Sequence, residues 1–196
     1  AGSAIVISAG FAERGLEARR YLQEELGKVA RDTGVRISGP NCLGLANVKS
    51  GIWACAASST PSNKMMDGGN IGLVCQSGAS AFGPFLSRAI SRGIGYSYII
   101  STGNEADLEA SDFVRYLIND DDTRVIAVFI EGFKDARKFL EVAKLASEKS
   151  KPIIAIKIGR SESGTHAARS HTAAMTGADD VYEAAFKQYG VARVDD

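Results

Sequence analysis

Short apolar runs alternate with amphipathic stretches over most of the chain. Four runs of mainly apolar residues each end in a glycine-rich or polar turn: Ile71–Cys75, Tyr98–Ser101, Val125–Ile130 and Ile153–Ile158. Each run precedes a stretch with apolar residues at three- and four-residue intervals, at 79–92, 108–118, 136–148 and 179–189. Alternating strands and amphipathic helices are typical of βα units around a parallel sheet. The pattern therefore predicts an α/β fold, a doubly wound parallel sheet from about residue 68 onward.

The first third of the chain predicts a different unit. Ile5–Ser8, a polar helix over 13–33 and Val35–Ser38 resemble the last βαβ piece of a preceding domain, and proline and glycine punctuate 39–69. We predict the end of one domain at 1–45, a linker at 46–67 and the α/β domain at 68–196. Because an apolar run starts almost at residue 1, we expect a fragment of a larger protein.

Composition narrows the class of partner. Lys plus Arg and Asp plus Glu are equal, at 23 each, so the basic excess typical of proteins that bind nucleic acid or anionic membranes is absent. Apolar runs are far shorter than the ~20 residues of a membrane span, and the chain shows no signal peptide. Three cysteines without metal-ligand spacing favour reduced thiols and a cytoplasmic location, with no metal site.

Two turns after predicted strands carry candidate chemistry. Ser77, Gly78 and Ala79 follow the first strand and open a helix, an arrangement that can cradle phosphate or can be a plain turn capped by Ser77. Ser77 is also a candidate nucleophile, although the G-x-S-x-G elbow fails because Cys75 and Ala79 stand at its glycine positions. A second turn, 101–107, opens the next helix, which we expect Asp107 to cap.

Glu131 and the loop at 159–178 supply the other candidates. Glu131 follows a six-residue apolar strand, where it can orient an imidazole or remain an ordinary solvated carboxylate. The loop holds both histidines, His166 and His171, with two arginines and several hydroxyl side chains. A histidine nitrogen can accept a phosphoryl group, although a flexible exposed loop is the alternative interpretation.

Four motifs in this order resemble one family, the NDP-forming acyl-CoA synthetases, which are relatives of the succinyl-CoA synthetase α subunit. They are Ser38-Gly-Pro-Asn-Cys-Leu-Gly44, Gly69-Asn-Ile-Gly-Leu-Val-Cys-Gln-Ser-Gly-Ala79, Ser101-Thr-Gly-Asn-Glu-Ala-Asp107 and Ser170-His-Thr-Ala-Ala-Met175. The resemblance covers essentially the whole chain. It implies a flavodoxin-like phosphohistidine domain at 68–196, preceded by the tail of a Rossmann-like CoA-binding domain at 1–45.

The resemblance also assigns site residues. It implies that His171 carries the phosphoryl group, that Glu131 supports it as the second catalytic residue, and that His166 lies outside the motif. The phosphohistidine is received at a helix start that matches Ser77, Gly78 and Ala79. Residues near CoA match Asn41, Cys42, Ser8 and Gly10. One departure is Ala173, which stands where acyl-CoA members commonly have glycine and reduces backbone freedom beside His171.

The implied reaction converts acyl-CoA, NDP and phosphate reversibly to acid, CoA and NTP through an acyl-phosphate. The implied cofactors are coenzyme A, and ATP or ADP with Mg on an ATP-grasp domain or subunit that these residues lack, so we expect the chain to be inactive alone. Partners are then the acyl acid, CoA, phosphate and that ATP-grasp portion, in an oligomer of the intact enzyme.

Two alternatives remain open on the sequence. Ser77, Asp121 and His171 follow the Ser, Asp, His order of α/β-hydrolases. A non-catalytic acyl-CoA-binding regulatory module on the same fold is the other alternative.

Overall fold

The computed structural model describes residues 1–57, 68–158 and 179–194. Nine strands lie in these ranges: β1 Ser3–Ile5, β2 Arg36–Ser38, β3 Gly44–Asn47, β4 Ile52–Cys55, β5 Ile71–Cys75, β6 Tyr96–Ser101, β7 Val125–Ile130, β8 Ile153–Lys157 and β9 Ala192–Arg193. The α-helices are α1 Glu17–Thr33, α2 Gly78–Ser80, α3 Leu86–Ser91, α4 Ala110–Asn119, α5 Ala136–Glu148 and α6 Asp179–Gln188. A π-helical turn at Ala81–Phe85 joins α2 to α3, and a 3₁₀ turn at Ala12–Arg14 precedes α1.

Seven strands form one sheet in the order β4-β3-β6-β5-β7-β8-β9. Five neighbouring strands are parallel to one another, namely β6, β5, β7, β8 and β9. On the β6 side of the sheet, β3 pairs antiparallel with β6, and β4 pairs antiparallel with β3. The other two strands, β1 and β2, form a separate parallel pair that α1 connects. The predicted doubly wound α/β fold is confirmed.

Alternation along the central strands creates a core on each face of the sheet. Leu73 and Ile99 pack with Phe82 and Leu86 of the helical segment after β5. Their neighbours Val74 and Ile100 point to the opposite face, where they join a cluster of residues from α4, α5 and α6. Helices cover both faces of the sheet, and the central strands are therefore apolar at consecutive positions along the sequence.

Most predicted elements are confirmed, with shifts at their ends. The strands at 71–75 and 125–130 and the helix at 136–148 have the predicted bounds. The first strand was predicted at Ile5–Ser8 but covers Ser3–Ile5, and the Val6 N–H that follows it still donates to the Ser38 carbonyl at 2.9 Å. All three cysteines are free thiols, and within the described ranges no helix is long and apolar enough to cross a membrane.

Asp107 does not cap the helix that follows it, so that prediction was wrong. The helix begins three residues later, at Ala110, where Asp112 accepts a hydrogen bond from the Glu109 N–H at 2.9 Å. Asp107 binds β2 instead: it accepts from the Arg36 side chain at 3.0 Å and from the Ile37 N–H at 2.8 Å. These bonds outweigh the burial that by itself would raise the pKa of Asp107, so its pKa is lowered.

The domain boundaries at 45 and 67 stay a prediction, but part of the predicted linker forms strands. Residues 52–55 are β4, and β3 ends at Asn47. Both strands hydrogen-bond into the seven-stranded sheet, β3 against β6 and β4 against β3. Short strands with partly exposed positions carry a weak sequence pattern, which explains why this segment was predicted as a linker.

The turn after β6 is joined to the segment after β2 by backbone hydrogen bonds. The N–H groups of Asn104, Ala106 and Leu108 donate to carbonyls of residues 40, 39 and 37 at 2.8 to 3.0 Å. Gly103 allows this approach, because its φ is +62° and a Cβ there would lie 2.2 Å from the Pro40 carbonyl oxygen. These hydrogen bonds connect the N-terminal βαβ piece, formed by β1, α1 and β2, to the seven-stranded sheet.

We expect Gly103→Ala to destabilise the chain more than a matched glycine substitution. The control is Gly93→Ala, because Gly93 has a similar φ of +66° and a methyl group added there would meet nothing within 4 Å. The control carries only the backbone strain, about 1–2 kcal/mol, whereas Gly103→Ala adds a collision with backbone. Urea unfolding of both variants measures the difference in the free energy of unfolding. Equal losses would show that the close approach at Gly103 contributes nothing.

Candidate active site

A pocket of about 410 Å³ opens at the carboxyl edge of the parallel sheet. Its walls come from the turns after β5, β6 and β7 and from two segments of the N-terminal piece. The lining residues are Ile7, Ala9, Asn41, Cys42, Leu43, Gln76, Ser77, Gly78, Ala79, Gly103, Asn104 and Glu131. Ligands of open α/β sheets bind at this edge, because the loops after neighbouring parallel strands meet there.

The predicted phosphate-binding residues form the helix start on one wall of the pocket. Ser77 is extended and its Oγ accepts a hydrogen bond from the Ser80 N–H at 3.3 Å, so it is the N-cap of α2. Gly78 is required by close packing, since a Cβ there would lie 2.8 to 2.9 Å from Leu43 and from the Ser101 Oγ. The N–H groups of Gly78 and Ala79 begin a helix, where intrahelical carbonyl partners are lacking. This wall can therefore accept an anion.

Glu131 lies at the end of β7, buried and against the same pocket. Its N–H donates to the Gln76 Oε1 at 2.7 Å, and the next N–H, of Gly132, donates to the same oxygen at 3.3 Å. Burial first, and then the negative charge of Glu131, raises the pKa of the Cys75 thiol to about 12. The alternative of an ordinary solvated carboxylate is wrong, because the residue Glu131 is only 9% exposed.

Of the residues predicted near CoA, Asn41 and Cys42 line the pocket. Asn41 has a left-handed backbone, with φ 57°, and its N–H donates to the Ser8 carbonyl at 3.0 Å. Its side-chain amide donates to the Asn104 Oδ1 at 3.1 Å. The Cys42 thiol donates to the Val6 carbonyl, and burial raises its pKa, so it is not an activated nucleophile.

Gly10 lies further from the sheet, at the beginning of a polar network. Its N–H donates to the Glu13 carboxylate, which also accepts from the Asn104 side chain at 2.6 Å. Burial by itself would raise the pKa of Glu13, but these hydrogen bonds outweigh it and the pKa is lowered. The Gln23 Oε1 accepts a second hydrogen bond from Asn104 at 2.9 Å. The turn at Gly10 is thus connected to the pocket through Asn104.

Sequence reasoning missed two buried polar residues, Gln76, which lines the pocket, and Glu105, which is hydrogen-bonded to it. The Gln76 Nε2 donates to the Glu105 Oε1 at 3.1 Å, and the Thr102 Oγ1 and the Ala110 N–H donate to the same oxygen at 2.8 and 3.0 Å. Burial raises the pKa of Glu105 to about 7 against the opposing effect of these bonds. Both residues stand just after a buried strand, which is the signal that could have identified them.

His171, with the whole loop at 159–178, lies outside the described residues. Ser77, Gly78, Ala79, Glu131, Asn41 and Cys42 are brought together in one pocket. The hydrolase alternative gains no support, because Asp121 precedes β7 and shares a cleft with Gly69 and Ile71 at the amino edge of the sheet. Ser77 lies at the carboxyl edge, about five residues or ~16 Å of strand away.

A mostly parallel sheet with helices on both faces and an anion-accepting helix start at its carboxyl edge defines a flavodoxin-like α/β domain. Residues 68–196 match the family model described as the succinyl-CoA ligase like flavodoxin domain. The chain therefore belongs to the family of succinyl-CoA ligase like flavodoxin domains, and the resemblance of its four motifs to relatives of succinyl-CoA synthetase is confirmed.

Individual relatives agree with this family. The chain is 44% identical over 187 residues to the α subunit of ADP-forming acetate–CoA ligase II of Pyrococcus furiosus, covering 95% of this chain and 39% of that protein. It is 43% identical to ADP-forming acetate–CoA ligase I of Archaeoglobus fulgidus, covering 96% of this chain and 26% of that protein.

A solved structure is similar over nearly the whole chain. The dinucleotide-forming acetyl-coenzyme A synthetase 1 of Ca. Korarchaeum cryptofilum, in complex with phosphate and ADP, superposes with a TM-score of 0.88 and 36% identity. The match covers 99% of this chain and 40% of that one. The chain thus spans well under half the length of these relatives.

The raised pKa of Glu105 predicts a pH-dependent stability. The folded chain keeps the Glu105 proton up to about pH 7, whereas an unfolded chain releases it near 4.5. The folded state binds more protons between these values, so the free energy of unfolding should fall as the pH rises through that window. A shift from 4.5 to about 7 corresponds to about 3 kcal/mol.

Glu105→Gln should therefore remove this fall, because the amide keeps an acceptor oxygen and carries no charge. Urea unfolding at several pH values between 4.5 and 7.5 measures it. The control is Glu24→Gln, which removes a carboxylate from an exposed position. If the Glu105→Gln and wild-type chains lose stability in parallel over this range, Glu105 does not titrate there.

Proposed function

We propose that this chain is the phosphoryl-carrying part of an NDP-forming acyl-CoA synthetase, an acid–thiol ligase. The observation that carries the proposal is that Glu131 and the helix start at Ser77, Gly78 and Ala79 line the same pocket. An anion-accepting helix start beside a buried carboxylate suits a phosphoryl group and a histidine that becomes positively charged while it reacts. The family membership of residues 68–196 supports the same reaction class.

The proposed reaction proceeds by three transfers. Phosphate attacks the thioester carbonyl of acyl-CoA, which forms a C–O bond and releases CoA as its thiolate. A ring nitrogen of His171 then attacks the phosphorus, which forms an N–P bond and releases the acid as its carboxylate. Finally an oxygen of NDP attacks the phosphohistidine, which gives NTP and neutral His171. Each step is reversible, so the same residues serve acyl-CoA synthesis from NTP.

Within this scheme the described residues have separate roles. The N–H groups at Gly78 and Ala79 receive the phosphoryl group and stabilise its charge. Glu131 holds the His171 ring in orientation and favours its charged form. Asn41 and Cys42 line the side of the pocket that receives the thiol end of CoA, with Ser8 and Gly10 in the adjoining turns.

We further propose that other parts of the enzyme complete the site. ATP or ADP, with Mg, binds an ATP-grasp domain or subunit, and residues 1–45 belong to the CoA-binding domain, with 46–67 connecting it to 68–196. The intact enzyme is an oligomer with a nucleotide-binding part. Three free thiols are in keeping with a cytoplasmic location.

Phosphorylation of His171 tests the proposal directly. The chain is mixed with its ATP-grasp portion, Mg and ATP labelled on the γ-phosphate, and acid-labile, base-stable label on the chain is measured. We expect label on the wild type and none on His171→Ala. The matched control is His166→Ala, which should keep the label because His166 lies outside the motif. An unlabelled wild type, or label that persists without His171, would refute the function.

Glu131→Gln should slow the labelling without abolishing it. The amide keeps the size of the side chain but loses the charge that favours the imidazolium, so we expect the rate of phosphohistidine formation to fall by about 10²-fold. Rapid-quench measurement at saturating ATP gives the rate, with Glu24→Gln as the control for loss of a carboxylate. A rate equal to that of the wild type would exclude Glu131 from supporting His171.

A further inference from the structure

The Gln76 side chain holds the Glu131 turn with both ends of its amide. Its Oε1 accepts from the N–H groups of Glu131 and Gly132 at 2.7 and 3.3 Å, and its Nε2 donates to the Gly132 carbonyl at 2.8 Å. Gln76 itself is buried, with 8% of its surface exposed. The amide therefore determines where the backbone at the end of β7 lies, and with it the origin of the Glu131 side chain.

A glutamine amide can exchange the positions of its Oε1 and Nε2 by rotation, so its neighbours must select one of the two orientations. The Nε2 also donates to Glu105 at 3.1 Å, and a carboxylate oxygen offers only acceptor sites to a neighbour. The donor end of Gln76 must face Glu105, which leaves the oxygen facing the two N–H groups of the Glu131 turn. Glu105 and the Gly132 carbonyl both accept from this Nε2, so the Glu105 carboxylate contributes a side-chain acceptor to the selection of the amide orientation.

Glu105 is itself held in place from several sides. Its Oε1 accepts from the Thr102 hydroxyl at 2.8 Å and from the Ala110 N–H at 3.0 Å, and the Lys134 ammonium donates to its backbone carbonyl. Its backbone is left-handed, with φ 58°, which costs free energy in a residue other than glycine. Hydrogen bonds from a strand end and a helix start hold the carboxylate, and one from the turn after β7 holds the backbone carbonyl of the same residue.

A buried carboxylate at this position has a free-energy cost. Burial raises the pKa of Glu105, which means that the ionised form is disfavoured in the folded protein relative to the unfolded chain. The residue is only 4% exposed, and the hydrogen bonds that its Oε1 accepts offset part of that cost. Perturbed carboxylates held at a cost are concentrated at functional sites.

We propose that Glu105 is a positioning residue of the active site, acting through the Gln76 amide to fix Glu131. Glu105 is not among the residues that line the pocket. This inference rests on the proposed function, because positioning Glu131 matters for catalysis only if Glu131 supports His171. The series of hydrogen bonds that links Glu105, Gln76 and Glu131 is present in the described structure. It can be tested separately from the proposed reaction.

The kinetic test compares two substitutions in the intact enzyme. Glu105→Ala removes the side-chain acceptor of the Gln76 Nε2, and Gln76→Met keeps the side-chain length but removes both ends of the amide. Each should lower the rate of phosphohistidine formation at saturating ATP by about 10- to 100-fold, since small misplacements of a catalytic group have effects of that size. Circular dichroism verifies that each variant is folded, and Glu24→Gln serves as the control.

Two further measurements separate positioning from a general structural role. The double variant Glu105→Ala with Gln76→Met should be no slower than the slower single variant, because both changes act through one amide. Glu105→Gln keeps an acceptor oxygen and should label within about threefold of the wild-type rate. Additive losses, or a Glu105→Gln enzyme as slow as Glu105→Ala, would overturn the inference.

Hydrogen exchange gives a readout that does not depend on the reaction. Exchange at the Glu131 and Gly132 amides should accelerate in Glu105→Ala and in Gln76→Met, because their acceptor is misoriented or absent, whereas amides within α5 should exchange as before. Faster exchange with an unlabelled wild type would refute the proposed function alone. Unchanged exchange and unchanged labelling in Gln76→Met would refute the positioning role alone.

Discussion

The parallel pairing of β5 between β6 and β7 is the constraint on which the site depends. Parallel strands end at the same edge of a sheet, so the turns that follow the three strands must share one small volume. Those turns carry Ser77, Glu105 and Glu131, which are separated by 28 and 26 residues along the chain. The pairing register, with Cys75 opposite both Ser101 and Phe129, sets the three turns level with one another.

Close packing then converts this shared edge into a pocket with two walls. Gly78 permits the helix start to approach Leu43 and Ser101, and Gly103 permits the turn after β6 to lie against Pro40. A side chain at either glycine would separate the N-terminal piece from the sheet by the thickness of a methyl group or more. The small residues of these motifs therefore serve the geometry of the pocket as directly as the polar residues serve its chemistry.

Sequence reasoning was most successful where the pattern of burial is strong. The strands at 71–75 and 125–130 have only buried and half-buried positions, and α5 buries one stripe of residues, so their bounds were predicted without error. The strand β3 alternates buried with half-buried positions and β4 alternates exposed with half-buried positions, each over only four residues, which is too short for a periodic signal. Asp107 was misassigned because a carboxylate before a helix can bind a distant arginine as readily as it can cap.

Of the polar residues of the site, sequence reasoning identified Ser77 and Glu131 but did not identify Gln76 and Glu105. Ser77 lies at a helix start and Glu131 at a strand end, and the neighbouring sequence predicts both of these contexts. The roles of Gln76 and Glu105 arise only from the contact between them, and they are 29 positions apart. No local pattern specifies such a partner, because pairing of this kind is set by the register of the sheet.

The same long-range contacts determine when the pocket can exist during folding. Its hydrogen bonds join Gln76 to Glu105 across 29 positions, Gln76 to Glu131 across 55, Asn41 to Asn104 across 63 and Glu13 to Asn104 across 91. Each closes a long loop whose entropy must be lost first, and contacts of high sequence separation form slowly. The pocket is consequently a late product of folding that no isolated βα unit can hold, and its loss on partial unfolding should be abrupt.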